Sequence, residues 1–141
     1  MVQGVSAEPA AGEGVTRLQL RLPQGRRMVR RFADSEPVSV LYALAGALLG
    51  RPHVLAGCYA LHRVARGEAD AAEVGLPAGT SSAAASDALL EAARAGDVVS
   101  GYPPAAFDIN TTYPAASLRA QGFKTLADAK LLNSAVVVEL M

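Results

Sequence analysis

Tryptophan is absent, cysteine occurs once, and no apolar run is long. Each lack excludes something. The lone Cys58 cannot form an internal disulfide, and a single thiol fits a reducing compartment. The longest apolar stretch, Val40 to Leu49, is ten residues and contains Gly46, whereas a membrane-spanning helix needs about 20. The start of the chain, Met1 to Pro9, has neither the basic region nor the apolar core of a secretory signal. Net charge is also lacking: 13 basic residues balance 13 acidic ones, which argues against a histone-like chain or an acidic tail. Of the 141 residues, 29 are alanine, while Val, Leu, Ile, Met and Phe together number 38. That supplies one small core and not two.

What is present is patterned. Residues 1–14, small and punctuated by Pro9, Gly12 and Gly14, read as a disordered lead. From Arg17 to Leu22 polar and apolar residues alternate, which predicts a strand with Leu18, Leu20 and Leu22 on its core face. Pro23-Gln24-Gly25 is a turn, and Arg27 to Phe32 is the returning strand of a hairpin. Arg30 falls on the same face as Met28 and Phe32, which points to an edge strand or a bulge. Six arginines and no acid lie between residues 17 and 32. A helix is expected next, capped by Asp34 or Ser35 with Glu36 and Pro37 in its first turn. Its apolar stripe is Val38, Leu41, Tyr42, Ala45, Leu48 and Leu49.

Residues 50–105 are different material, with 15 alanines and four prolines. Two helices are expected there, at Val54–Arg66 and from an N-cap at Ser86 to Gly96, with a low-complexity loop over Gly75–Ala85. This insert is expected to pack only partly, because alanine buries little area. Phe107 to Thr111 alternates again as a third strand, and Ser117-Leu118 suggests a short one. Thr125-x-x-Asp128 opens a short helix, and Ala135 to Leu140 is a last strand apolar enough to be central. Without the insert the order is hairpin, helix, strand, short helix, strand. The fold class is α+β, a ubiquitin-like β-grasp with a mixed sheet and one main helix, spanning residues 15–140 with the insert at about 50–105.

Four segments resemble the UBX domain, a ubiquitin-like module of ubiquitin-pathway adaptors. They are Leu20-Arg21-Leu22-Pro23-Gln24-Gly25-Arg26 running into Val29-Arg30-Arg31-Phe32, the helix bearing Leu41-Tyr42, Phe107 through Tyr113-Pro114, and Thr125 through Leu140. Together they cover about half of the chain. The resemblance implies a non-catalytic module that docks on the N-terminal domain of a hexameric AAA ATPase of the valosin-containing protein type, in the cytoplasm or nucleus. It implies that a Phe-Pro-Arg loop after the third strand enters a cleft of the ATPase, beside an arginine on the first strand. Here the strand arginine maps to Arg21 and the loop to Tyr113, Pro114 and Ala115. Tyr113 keeps the ring and adds a hydroxyl, and Ala115 lacks the charge-assisted donor, worth about 1.5–3 kcal/mol. The alternative is a ubiquitin-like domain that has lost this docking and binds another partner through its insert.

Other signals are weaker than their plain structural readings. The arginine-rich hairpin has no interleaved aromatics, so a solvated edge that discourages strand pairing outweighs nucleic-acid binding. His53, Cys58 and His62 form the one metal-like set, but a zinc site needs a fourth ligand and a rigid frame. There is no glycine-rich phosphate loop, no pair of carboxylates at useful spacing and no triad pattern. The expectation is therefore a protein partner, with no cofactor, metal, small molecule, nucleic acid, membrane or catalysis.

Overall fold

The computed structural model describes residues 9–50, 54–74, 76–94, 107–112, 115–121 and 124–140. Strand β1 (Val15–Arg21) turns through Pro23–Gly25 into β2 (Arg27–Ala33). Helices α1 (Ser39–Leu49), α2 (Val54–Ala65) and α3 (Ser82–Arg94) follow, then β3 (Phe107–Thr111) and β4 (Ala135–Leu140). The sheet order is β2-β1-β4-β3. β1 is antiparallel to β2 and parallel to β4, and β4 is antiparallel to β3. The last strand of the sequence is therefore central, and the first and last strands run side by side. This is the mixed sheet of a β-grasp fold in the α+β class.

Period two places the core. Leu18 and Leu20 of β1, Phe32 of β2, Phe107 and Ile109 of β3, and Val136 and Val138 of β4 are buried on one face of the sheet. Leu22 is only half-buried, since β1 has ended at Arg21. The hairpin register is unbroken from Val15↔Ala33 to Arg21↔Arg27, so Arg30 sits on an edge strand and not in a bulge. It does not reach for water. Its guanidinium lies 4.8 Å from the Phe32 ring centre, and only 9% of the residue is exposed. The turn takes two successive positive φ values, 66° at Gln24 and 75° at Gly25. Gly25 adopts its value without strain, and Gln24 does so less readily.

The main helix begins later than the sequence suggests. Its N-cap is Val38, and no side chain caps it. Asp34, Glu36 and Val38 are committed elsewhere. Leu126 N–H donates to Glu36 C=O at 2.9 Å, Ala127 N–H to Asp34 C=O at 3.1 Å, and Val38 N–H to Lys124 C=O at 2.8 Å. Pro37 and Thr125 form a β-bridge. The segment that looks like a first helical turn is instead pinned to residues 124–127. That segment is likewise a run of turns and not a regular helix. Thr125 Oγ1 does accept the Asp128 N–H at 3.0 Å, as a cap would, but Leu131 N–H reaches back to Leu126 and Lys130 has φ 60°. Ser117 makes only a bridge with Asn110.

The insert packs through its helices, chiefly α2. Leu55, Cys58, Tyr59, Leu61 and Val64 of α2 are buried in the same cluster as the sheet residues. α2 packs along α1, which explains why Val40 and Leu44, off the stripe expected to face the sheet, are buried too. α3 starts four residues before the expected cap at Ser86, because Ser81 is the cap: its Oγ accepts Ala84 N–H at 3.1 Å. Ser82 Oγ–H donates to Val64 C=O at 3.1 Å, tying the start of α3 to the end of α2. Within the expected lead, residues 1–8 lie outside the described residues. Pro9 C=O accepts Arg31 Nε–H at 3.0 Å, and Gly14 C=O accepts Asp34 N–H at 2.8 Å.

Candidate docking surface

The sheet presents its other face outward, and the register sets a row of side chains across it. Arg21 of β1 pairs with Val137 of β4, Val137 with Asn110 of β3, and Asn110 with Ser117 beyond it. Partners in one row point to one face, so the exposed Arg21 lies two strands from the edge strand β3, about 10 Å across the sheet. Strand β3 runs into a hairpin. Thr111 N–H donates to Ala116 C=O at 2.9 Å, and Leu118 N–H to Ile109 C=O at 2.9 Å. These two bonds fix both ends of the segment holding Tyr113, Pro114 and Ala115. Ala115 is exposed. Tyr113 and Pro114 lie outside the described residues, as does His53.

The base of this hairpin is held by a carboxylate. Asp108 Oδ1 accepts Tyr42 Oη–H at 2.7 Å and Ile109 N–H at 2.8 Å, while Oδ2 accepts Ser117 Oγ–H at 2.7 Å. Asp108 therefore joins the main helix, its own strand and the return of the hairpin. Partial burial pushes its carboxyl up. The bonds from Tyr42, Ser117 and Ile109, with the charge of Arg119 nearby, outweigh that and hold it below the ordinary carboxylate range. Burial, and then the adjoining carboxylate, push the Tyr42 hydroxyl far up, so it remains a donor throughout the working pH range. Its ring stacks on Phe107 with centroids 5.9 Å apart and planes 21° apart. Sequence reasoning assigned Tyr42 to the core stripe and missed this hydroxyl. Asp108 looked like an ordinary outward residue of an alternating strand, and nothing local marks it.

The set weighed as metal-like is partly visible. Cys58 is buried in α2, and His62 lies one turn later, half-buried. Burial, and then the charge of Arg66, lower the His62 pKa, which favours the neutral ring. No group of three His, Cys, Asp or Glu side chains suited to a metal occurs among the described residues.

A family model described as the UBX domain matches residues 10–50, which hold β1, β2 and α1. The chain resembles the UBX domain family. UBX domain-containing protein 2 of Schizosaccharomyces pombe is 53% identical over 36 residues, which is 26% of this chain and 8% of that protein. The match thus spans about one-twelfth of the length of that curated relative. The solution structure of a UBX domain aligns with 97% of this chain and 80% of its own at a TM-score of 0.48 and 19% identity. UBX domains are ubiquitin-like protein-interaction modules, and the UBX-like segment here supplies Arg21, whereas the 111–116 hairpin lies outside the matched residues.

Proposed function

We propose that this chain is a non-catalytic docking module for the N-terminal domain of a hexameric AAA ATPase of the valosin-containing protein type, acting in the cytoplasm or nucleus. The observation that carries the reading is the row Arg21–Val137–Asn110–Ser117. It puts an exposed, UBX-like arginine on the same face as the base of the hairpin that contains Tyr113 and Pro114. An aromatic ring followed by proline is a pre-organised anchor that loses little side-chain entropy on docking, and hot spots concentrate in such residues. Asp108 steadies the base of this hairpin by tying Tyr42 to Ser117.

One observation favours a second reading. Ala115 is exposed where the resemblance places an arginine, so the module would dock weakly or serve another partner through α2 and α3. Titrating the isolated ATPase N-terminal domain into the chain separates the two. On the first reading, Tyr113→Ala weakens binding by about 2 kcal/mol or more, Tyr113→Phe binds equally or more tightly, and Ala115→Arg gains about 1–2 kcal/mol. Absence of wild-type binding at hundreds of micromolar, with Ala115→Arg equally inert, favours the second. Binding indifferent to both Arg21→Ala and Tyr113→Ala places the contact elsewhere on the chain.

A further inference from the structure

The base of the hairpin carries an accessible hydroxyl in contact with a charged group. Ser117 is exposed, and so are Ala115 and Ala116 before it. Its Oγ–H donates to Asp108 Oδ2 at 2.7 Å, and its Oγ accepts Arg119 N–H at 3.2 Å. Among the described serines it is the one whose hydroxyl meets a carboxylate. Ser82 and Ser134 donate to backbone carbonyls, and Ser81 accepts a backbone N–H. The Asp108 carboxyl is also held below its ordinary range, so it is ionised at neutral pH.

That carboxylate is shared. Asp108 Oδ1 accepts Tyr42 Oη–H at 2.7 Å, and Tyr42 is fully buried on α1. A change at Ser117 therefore reaches the main helix through one side chain. The two backbone bonds that fix the hairpin, from Thr111 to Ala116 and from Leu118 to Ile109, flank the same place. Arg119 lies close enough for its charge to act on both Asp108 and Tyr42.

We propose that Ser117 is a phosphorylation site whose phosphate switches off the docking surface, an inference that rests on the docking reading. A protein kinase transfers the γ-phosphoryl group of a nucleoside triphosphate to Ser117 Oγ. The bond from that phosphorus to the β-phosphate oxygen breaks, the nucleoside diphosphate leaves, and the hydroxyl proton passes to the kinase's base. The product carries about −1.5 to −2 charges at pH 7. Two changes follow at Asp108. Its Oδ2 loses a donor, and a like charge stands where the donor was. The phosphoserine oxygens still accept the Arg119 N–H, so the change falls on the carboxylate. As Asp108 turns away, its link between Tyr42 and the return of the hairpin is lost. Tyr42 Oη–H has the Ile109 C=O, 3.4 Å away, as an alternative acceptor, so the helix keeps its packing while the hairpin base loosens.

The test uses the full chain with phosphoserine placed at position 117 by genetic encoding. One readout is titration with the isolated ATPase N-terminal domain. The other is hydrogen exchange of the Thr111 and Leu118 amides, which needs no ATPase. Phosphoserine should weaken docking about tenfold or more and speed exchange at both amides by a similar factor. Ser117→Ala removes the donor without adding charge and should change each by about threefold or less. In an Asp108→Asn background the same phosphoserine should add little to the effect of Asp108→Asn itself, because no carboxylate remains to repel it. Docking and exchange indifferent to phosphoserine overturn the proposal, as does an equal effect in the Asp108→Asn background. Faster exchange with unchanged docking overturns the switch and leaves the docking reading standing. Absence of docking by the unmodified chain overturns the docking reading, and with it the switch as a control of docking, while exchange still shows whether the phosphate loosens the hairpin. The full chain incubated with ATP and a cell extract should gain phosphate at Ser117 by mass spectrometry, and a Ser117 left unmodified overturns its assignment as the acceptor.

Discussion

The strands and the α2–α3 layer reach the same core by different means. In the sheet, β1, β3 and β4 each bury two large apolar side chains at alternate positions, and β2 adds Phe32 with Arg30 beside it. In the helical layer alanines predominate, and burial rests on a few large residues of α2, chiefly Leu55, Tyr59, Leu61 and Val64. α3 buries only Ala85 and Ala92 among its described side chains, and its Leu90 is exposed. A surface of small side chains lets helices approach closely but contributes little burial per residue. The helical layer therefore depends on a few anchors, whereas the load in the sheet is spread.

Truncating one anchor in each region tests that contrast most severely. Tyr59→Ala and Phe107→Ala should each cost about 3–5 kcal/mol, with a single urea transition in both. A Tyr59→Ala protein that melts in two steps, the sheet surviving the first, would make the helical layer a separate unit. Next in size is excision of residues 52–103 with a short Gly/Ser link. The sheet should persist, because its strands pair without the insert, but the excised chain should self-associate through Val40 and Leu44, uncovered by the loss of α2. Adding Val40→Thr and Leu44→Gln should restore a monomer on size exclusion.

Tyr42→Phe probes the sheet side alone. It removes a donor from a partly buried carboxylate and should cost about 1–2 kcal/mol. The same carboxylate gives a pH signature. Because the folded state holds Asp108 below its ordinary value of 3.8, its contribution is present above that value and is lost as pH falls through the lower folded one. Asp108→Asn should flatten the acid limb of a melting-temperature curve between about pH 5 and 2, and no change in that limb would remove Asp108 from the account. The smallest effect belongs to the helical layer: Ser81→Ala removes the α3 cap, for about 1 kcal/mol or less.

The same contrast explains what could be read from the sequence. Leu18 and Leu20, Phe107 and Ile109, and Val136 and Val138 announce their face by spacing alone, and β4 was apolar enough to be placed centrally. The start of α1 differs from the expected one because Asp34, Ser35 and Pro37 have the residue types of a helix start, while the backbone groups of Asp34, Glu36 and Val38 are used by residues 124–127, a partner that local chemistry does not reveal. α3 was begun too late because Ser81, Ser82 and Ser86 are all acceptable caps, and only the bond from Ser82 to Val64 selects among them. At the candidate docking surface, the exposure of Arg21 was legible from the alternation of β1. The Asp108 bonds were not, since Tyr42 lies 66 residues away in the chain.

The parallel pairing of β1 with β4 also sets an order of events. Gln19 meets Ala135, and Arg21 meets Val137, so the centre of the sheet closes only after more than a hundred intervening residues exist. Closing so long a loop costs entropy before any pairing compensates for it, and topologies rich in such distant contacts fold slowly. While a ribosome is still making the chain, the β1–β2 hairpin has nothing beside Leu18 and Leu20 on its inner edge. In that interval the arginines of β1 and β2 act as guardians, because their mutual repulsion keeps two nascent hairpins from joining edge to edge.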